Sequence, residues 1–147
     1  MFLTGEYHHQ IDEKNRIRIP AKLKELLGEN PLIMLGTGKC LYVYSQERAQ
    51  QVIAEKLDTL DLADDKKAML ARRLMPFTLI AEEDKQGRVT LTDTLIKKGG
   101  LGKNIVTIGA YDRAEIWSEE AWEEFSQFTP EEYDECLKAL SKENESL

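Results

Sequence analysis

The 147-residue sequence predicts an α+β fold, mainly β, in which two similar halves form one pseudo-symmetric β-barrel with peripheral helices. Three observations lead to this prediction: an internal repeat at an offset of 72 residues, short alternating strand patterns, and helix-capping signals at equivalent places in both halves. Each half has about 60 residues of mostly short strands, which is too few to bury much apolar surface alone. We therefore expect one core that both halves share.

The internal repeat is clearest between residues 12–23 and residues 84–95. In both segments an aspartate precedes an arginine by four residues, an alternation of apolar and polar residues follows, and a helical stretch then begins. The repeated aspartates and arginines are Asp12, Arg16, Asp84 and Arg88. A later match between residues 42–45 and 115–118 lies at an offset of 73, so a duplication with short insertions or deletions explains the pattern.

The first half contains four predicted strands and two predicted helices. The strands cover residues 2–11, 16–19, 32–35 and 40–44. Asn15 supplies a turn residue that tolerates positive φ between the first two strands. Pro20 suits the first position of a short helix that Gly28 ends, and Ser45 caps a second helix that runs to about residue 57.

The second half repeats this plan after a linker helix over residues 61–75, which Pro76 stops. Its strands cover residues 77–83 and 88–91, a helix runs from about 92 to 98, and two further strands end at residue 117. Gly87 supplies the turn, Ser118 caps another helix, and Thr129 with Glu132 forms a capping box that begins the last helix. The expected units are a first half over 1–57, a linker helix over 58–76, a second half over 77–128 and an acidic C-terminal helix over 129–147.

The formal net charge is −7, but the acidity is concentrated at one end of the chain. Residues 115–147 carry 11 acidic and two basic residues, whereas the rest of the chain has a net charge of +2. A nucleic-acid-binding surface is therefore compatible with the composition, because the local field steers association.

Cys40 and Cys136 are too few for a disulfide framework, which indicates a reducing compartment. With no signal-peptide pattern and no long apolar run, we expect a soluble cytoplasmic protein without membrane association.

The two predicted turns carry the candidate nucleic-acid-binding residues. These are Asp12, Lys14, Arg16 and Arg18 in the first half and Asp84, Lys85 and Arg88 in the second. On the returning strand, Arg16 and Arg18 should be exposed on one face, while Ile17 and Ile19 should be buried on the other. A guanidinium on a rigid turn can contact a phosphate or bind a guanine edge in the major groove. The alternative is that each Asp–Arg pair only stabilises its own turn.

No metal site, cofactor site or catalytic site is predicted. His8 and His9 are adjacent on a strand, so their side chains point to opposite faces and cannot bind one ion together. The sequence has no phosphate-binding glycine loop and no hydrolase motif, so we do not expect an enzyme or a small-molecule substrate. Two non-enzymatic alternatives to DNA binding stay open: a protein-interaction or assembly module, and an antitoxin-like partner.

These motifs together resemble the MraZ family of bacterial transcriptional regulators. The segments that carry the resemblance are Phe2-Leu3 with Gly5-Glu6, residues 12–16 with Ile19-Pro20-Ala21-Lys22, residues 84–89, and residues 115–118 with Ala121-Trp122. The resemblance covers nearly the whole chain and thins after about Tyr133. This sequence has Asn15 where the family usually has glycine, and Thr92-Asp93 where the family often has a proline.

The resemblance implies a fold, an assembly and a function. Two AbrB-like (SpoVT-AbrB) halves of the swapped-hairpin type would form the barrel, and copies of the chain would assemble into a homo-oligomeric ring. The protein would be a nucleoid-associated repressor that binds double-stranded DNA at tandem repeats upstream of its own gene, which heads a division and cell-wall cluster. The family's DNA-contacting D-x-x-x-R hairpin corresponds to Asp12 and Arg16, and again to Asp84 and Arg88.

Overall fold

The computed structural model describes residues 1–61, 63 and 65–146, with side chains described up to Ser141. The strands are β1 (Glu6–Gln10), β2 (Arg16–Ile17), β3 (Leu32–Leu35), β4 (Leu41–Tyr44), β5 (Leu79–Ile80), β6 (Val89–Thr90), β7 (Asn104–Gly109) and β8 (Ala114–Ser118). The α-helices are α1 (Ala21–Leu27), α2 (Gln46–Ala49), α3 (Glu55–Asp58), α4 (Asp65–Leu74), α5 (Asp93–Lys98), α6 (Glu119–Phe125) and α7 (Pro130–Ser146). A π-helical turn over Gln50–Ala54 joins α2 to α3, and a 3-10 turn over Met75–Phe77 follows α4.

The strands of the two halves interleave in an antiparallel arrangement. Six strands form one sheet in the order β1-β7-β8-β4-β3-β5, and β2 and β6 form a separate two-stranded ribbon. Strand β1 of the first half pairs with β7 of the second half, while β5 of the second half pairs with β3 of the first. The mixed α+β fold is therefore confirmed. Among the described strands no pairing joins the edges β1 and β5, so the predicted closed barrel stays a prediction.

One apolar core contains residues from both halves, as predicted. Its fully buried members include Leu23 and Ile33 from the first half and Leu95 and Ile116 from the second. The ribbon contributes Ile17 and Val89, which are 2% and 1% exposed. Burying side chains of this size is the main favourable contribution to folding. Since the core draws on both halves, neither half has a complete core of its own.

The hydroxyl caps predicted at Ser45, Ser118 and Thr129 are confirmed, and Thr92 caps α5 in the same way. The hydroxyl oxygens of Ser45, Thr92, Ser118 and Thr129 each accept a hydrogen bond from a backbone N–H three residues later. Pro20 was expected at the first helical position of α1 but lies one residue earlier, at the N-cap, because its ψ of 133° is extended rather than helical.

Several predicted strands and helices are longer than the elements that form. The strands predicted over residues 2–11 and 77–83 contract to β1 and β5, with only an isolated bridge between Leu3 and Tyr111 beyond β1. The predicted linker helix begins at Asp65, and two of its residues, 62 and 64, lie outside the described residues, as does residue 147 of the predicted C-terminal helix. None of the described helices combines the length and the apolar character needed to cross a membrane.

We expect Gly109→Ala to destabilise the protein by roughly 1–3 kcal/mol, because an added methyl group overpacks a filled site. A Cβ at Gly109 would collide with the backbone of Leu3 and Thr4, which cannot rotate away as a flexible side chain can. Urea denaturation would measure the loss. Gly102→Ala is the matched control, since its Cβ would meet no atom within 4 Å. Equal unfolding midpoints for the two variants would contradict the packing described at Gly109.

Candidate nucleic-acid interface

The first turn is organised by the carboxylate of Asp12. Its Oδ1 accepts hydrogen bonds from the backbone N–H groups of Lys14 and Arg16, both at 2.9 Å. Its Oδ2 accepts a 2.7 Å hydrogen bond from Nε of Arg16. The turn closes through Asn15, whose φ of 60° lies in the left-handed region that asparagine tolerates. One carboxylate therefore fixes both the backbone of the turn and the base of the arginine side chain.

The second turn reproduces this geometry in the other half. Oδ1 of Asp84 accepts hydrogen bonds from the N–H groups of Gln86 and Arg88, both at 2.9 Å, and its Oδ2 accepts one from Nε of Arg88 at 3.0 Å. Gly87 takes the left-handed position with a φ of 77°. In both turns the arginine and aspartate side chains are 24% and 37% exposed. The sequence repeat is thus also a repeat of atomic geometry.

Both carboxylates are held in their charged form. Burial alone would raise the pKa of Asp12, but the hydrogen bonds from Arg16 and Lys14 outweigh it and lower the pKa below the ordinary aspartate value. The pKa of Asp84 is lowered first by the backbone hydrogen bond from Arg88 and then by that from Gln86, again against the effect of burial. Each turn therefore keeps an ionised acceptor at neutral pH.

Arg16 lies on the solvent side of the β2–β6 ribbon, and Arg88 directly precedes β6. Ile17 pairs with Val89 and both face the core, whereas Arg16 pairs with Thr90 and both lie on the opposite face. Arg18 continues this face and is exposed, while Ile19 is buried. The predicted alternation along residues 16–19 is therefore confirmed, although the ladder itself covers only two residues of it.

Arg16 is less exposed than expected. The prediction treated its side chain as exposed, but Asp12 holds the Nε end and the side chain is 24% exposed. No hydrogen bond donated by the terminal Nη atoms of Arg16 or Arg88 is found within the described part of the chain. Lys14 and Lys85 are exposed beside the turns. The aspartates therefore position the arginines and leave the terminal nitrogens for another partner.

The two histidines have separate roles on β1. His8 is exposed and lies 2.7 Å from a carboxylate oxygen of Glu6, whereas Nε2 of the half-buried His9 lies 2.7 Å from Oγ1 of Thr107. Burial lowers the pKa of His9, and the nearby charge of His8 lowers it further. Their opposite orientation is as predicted. Across the described residues, no group of three histidine, cysteine, aspartate or glutamate side chains is arranged to hold a metal ion.

One contact at the first turn was not predicted. Nδ2 of Asn15 donates a 2.8 Å hydrogen bond to Oδ1 of Asp93 at the start of α5 in the other half. In the sequence, the turn pattern identifies Asn15 and the helix start identifies Asp93, each separately. Their distance of 78 positions in the chain left no local signal that they meet.

The fold and the turns together define a class of small two-repeat α+β proteins that present a pair of Asp-held arginines on a short ribbon. The profile of the family described as "MraZ protein, putative antitoxin-like" matches residues 2–73 and 80–141. The chain belongs to the MraZ family.

Curated relatives support this membership over nearly the full length. The chain is 38% identical to Transcriptional regulator MraZ of Caldanaerobacter subterraneus subsp. tengcongensis, with 97% of this chain and 99% of the relative covered. It is 39% identical to the protein of the same name from Lactobacillus helveticus, with coverage of 95% and 96%. For the protein from Clostridium tetani the identity is 37%, with coverage of 97% and 98%.

We expect Asp12→Asn and Asp12→Ala to separate the two roles of the carboxylate. Asparagine keeps an oxygen that accepts the N–H groups of Lys14 and Arg16, as in other turns organised by asparagine or aspartate, but it loses the ion pair. Alanine loses both. Hydrogen–deuterium exchange should therefore stay slow at the Lys14 and Arg16 amides in Asp12→Asn and accelerate in Asp12→Ala. If exchange stays slow in Asp12→Ala as well, the carboxylate does not organise the turn.

Proposed function

We propose that this protein is a sequence-specific, DNA-binding transcriptional repressor that uses the two Asp–Arg turns to bind tandem repeats upstream of its own gene. The observation that carries the proposal is the duplicated geometry in which Asp12 and Asp84 hold the Nε atoms of Arg16 and Arg88. The names of the curated relatives support transcription regulation. On this proposal the protein is not an enzyme and associates with the nucleoid.

The ribbon suits the major groove of DNA for a physical reason. That groove admits a two-stranded β-ribbon, and an arginine can bind the O6 and N7 atoms of guanine with two donors. An arginine whose Nε is already bonded has lost much of its rotamer freedom before DNA arrives, so less entropy is lost on binding. Lys14, Lys85 and Arg18 lie beside these arginines and would contact phosphates, which orient the protein without reading sequence.

The acidity of the chain does not oppose this function, because most of it is separated from the turns in the sequence. Most of the excess negative charge is carried by α6 and α7, whereas the turns precede β2 and β6. Two turns with few cationic contacts should bind weakly at physiological salt. Several copies on successive repeats would bind far more tightly, because each bound copy raises the effective concentration of the next.

We therefore include a homo-oligomer, in the form of a ring of closed two-half barrels, in the proposal. Helix α7 supports it, because each described side chain from Pro130 to Ser141 is exposed in the single chain. Its apolar residues Tyr133, Leu137 and Leu140 recur at helical spacing and are 51–68% exposed. A helix of this kind gains little stability without tertiary packing. The basic helix α4, with exposed Arg72 and Arg73, is complementary in charge to the acidic flanks of α7.

We expect Arg16→Ala and Arg88→Ala each to weaken specific DNA binding. Losing a two-donor contact to guanine corresponds to roughly 5- to 150-fold in affinity for the repeats and much less for a shuffled duplex. Fluorescence anisotropy of a labelled duplex carrying the upstream repeats, at near-physiological salt, would measure both affinities.

Lys56→Ala is the control for these variants, because it removes an exposed positive charge from α3, which the proposal uses neither for DNA binding nor for assembly. It should bind the repeats as the unmodified protein does. Lys14→Ala should weaken binding to both duplexes about equally and lower the salt slope by about 1, as expected for a phosphate contact. If neither duplex binds, or if Arg16→Ala and Arg88→Ala change nothing, the protein-interaction alternative replaces this proposal.

We expect Leu137→Glu to lower the mass of the assembly in solution, because it places a charge within the apolar stripe of α7. Size-exclusion chromatography with light scattering would measure the mass. Ala139→Glu makes the same change of charge on another face of the same helix and should leave the mass unchanged. A monomeric unmodified protein, or equal masses for the two variants, would remove α7 from the assembly.

A further inference from the structure

The two turns have the same local geometry but different support from the rest of the molecule. In the first turn, Nδ2 of Asn15 donates a 2.8 Å hydrogen bond to Oδ1 of Asp93, in the first turn of α5. At the repeat offset of 72, Gly87 corresponds to Asn15 and Ala21 corresponds to Asp93. Gly87 has no side chain and Ala21 has only a methyl group, so this hydrogen bond cannot form at the second turn. The side-chain link between a turn and the opposite half therefore exists on one side only.

The backbone pairing shows the same inequality. The N–H group of Leu91 donates a 2.8 Å hydrogen bond to the carbonyl oxygen of Asn15, which extends the β2–β6 ladder to the tip of the first turn. The equivalent bond would run from Ile19 to Gly87, and it is not found among the described residues. As a result, Arg16 lies within the ladder whereas Arg88 lies just outside it.

We propose that Asn15 and Asp93 form a clamp that makes the turns unequal, so that the first turn is preorganised for DNA and dominates recognition. The inference rests on the proposed function. Asn15 is a positioning residue in this scheme: it holds the tip of the turn against the other half, and so fixes where Arg16 projects. The second turn has neither the side-chain link nor the additional ladder bond, so its tip is held less firmly against the other half, although Asp84 still bonds Nε of Arg88 within the turn.

The physical argument is one of preorganisation. A binding element that is ordered in only part of the free population binds with an affinity reduced by that fraction. The net stabilisation from one ordinary hydrogen bond changes the ratio of ordered to disordered turn by about two- to tenfold. Losing the clamp should thus weaken DNA binding by that factor, without removing any group that touches DNA.

Asp93→Ala and Asp93→Asn provide the matched test, because both remove the same charge and only asparagine keeps an acceptor for Asn15. We expect Asp93→Ala to bind the upstream repeats two- to tenfold more weakly than Asp93→Asn in the anisotropy assay. Asn15→Gly, which keeps the positive φ, should lose a similar factor relative to the unmodified protein. Arg16→Ala should also cost more affinity than Arg88→Ala.

Hydrogen–deuterium exchange of the free protein provides a second measurement. Amides of residues 14–18 should exchange faster in Asp93→Ala and Asn15→Gly than in Asp93→Asn, while residues 86–90 should be unaffected. Equal affinities of Asp93→Ala and Asp93→Asn, or equal losses for Arg16→Ala and Arg88→Ala, would overturn the proposal.

The exchange measurement also distinguishes failure of the clamp from failure of the proposed function. If the unmodified protein does not bind the repeats but exchange still depends on Asp93, the clamp exists and its role in DNA recognition is overturned. If the protein binds the repeats but residues 14–18 exchange at the same rate in Asp93→Ala and Asp93→Asn, the proposed function is supported and the clamp is overturned.

Discussion

The pairing of β2 with β6 is the constraint on which the rest of the structure depends. Ile17 lies opposite Val89, which is its own equivalent at the repeat offset of 72, so the pseudo-twofold relation between the halves passes through this pair. Both side chains are buried in the common core, and the neighbouring polar positions are thereby directed to solvent. Shifting this register by one residue would bury Arg16 and expose Ile17. The same pairing therefore stabilises the core and directs Arg16 to solvent.

The same interleaving explains how a short chain forms a stable core. Strands β1 and β5 each pair with a strand of the opposite half, and β4 pairs with β8 across the centre of the sheet. If each half paired its strands only with one another, the core contacts made by these pairings between the halves would be lost. The two Asp–Arg turns are therefore attached to one rigid body, which lets each turn remain short and locally organised while its position is set by the whole molecule.

Charge and apolar surface are divided among different parts of the chain. Both turns and α4 carry clusters of basic residues, and the acidic groups concentrate on α6 and α7. Helix α7 presents an exposed apolar stripe between acidic residues, and such a stripe is typical of a surface that another chain covers. The proposed assembly through α7 and the proposed DNA contacts at the turns use different residues, so self-association and DNA binding need not compete for the same side chains.

The sequence by itself determined the elements whose causes are local: the duplicated turns, the left-handed positions of Asn15 and Gly87, and the hydroxyl caps. It also predicted a core shared by both halves, because each half is too short to form its own. Only the tertiary structure decided which strands pair across the halves and that Asn15 meets Asp93. Those features depend on contacts between residues far apart in the chain, 78 positions in the case of Asn15 and Asp93, and such contacts leave no periodic or neighbouring signal in the sequence.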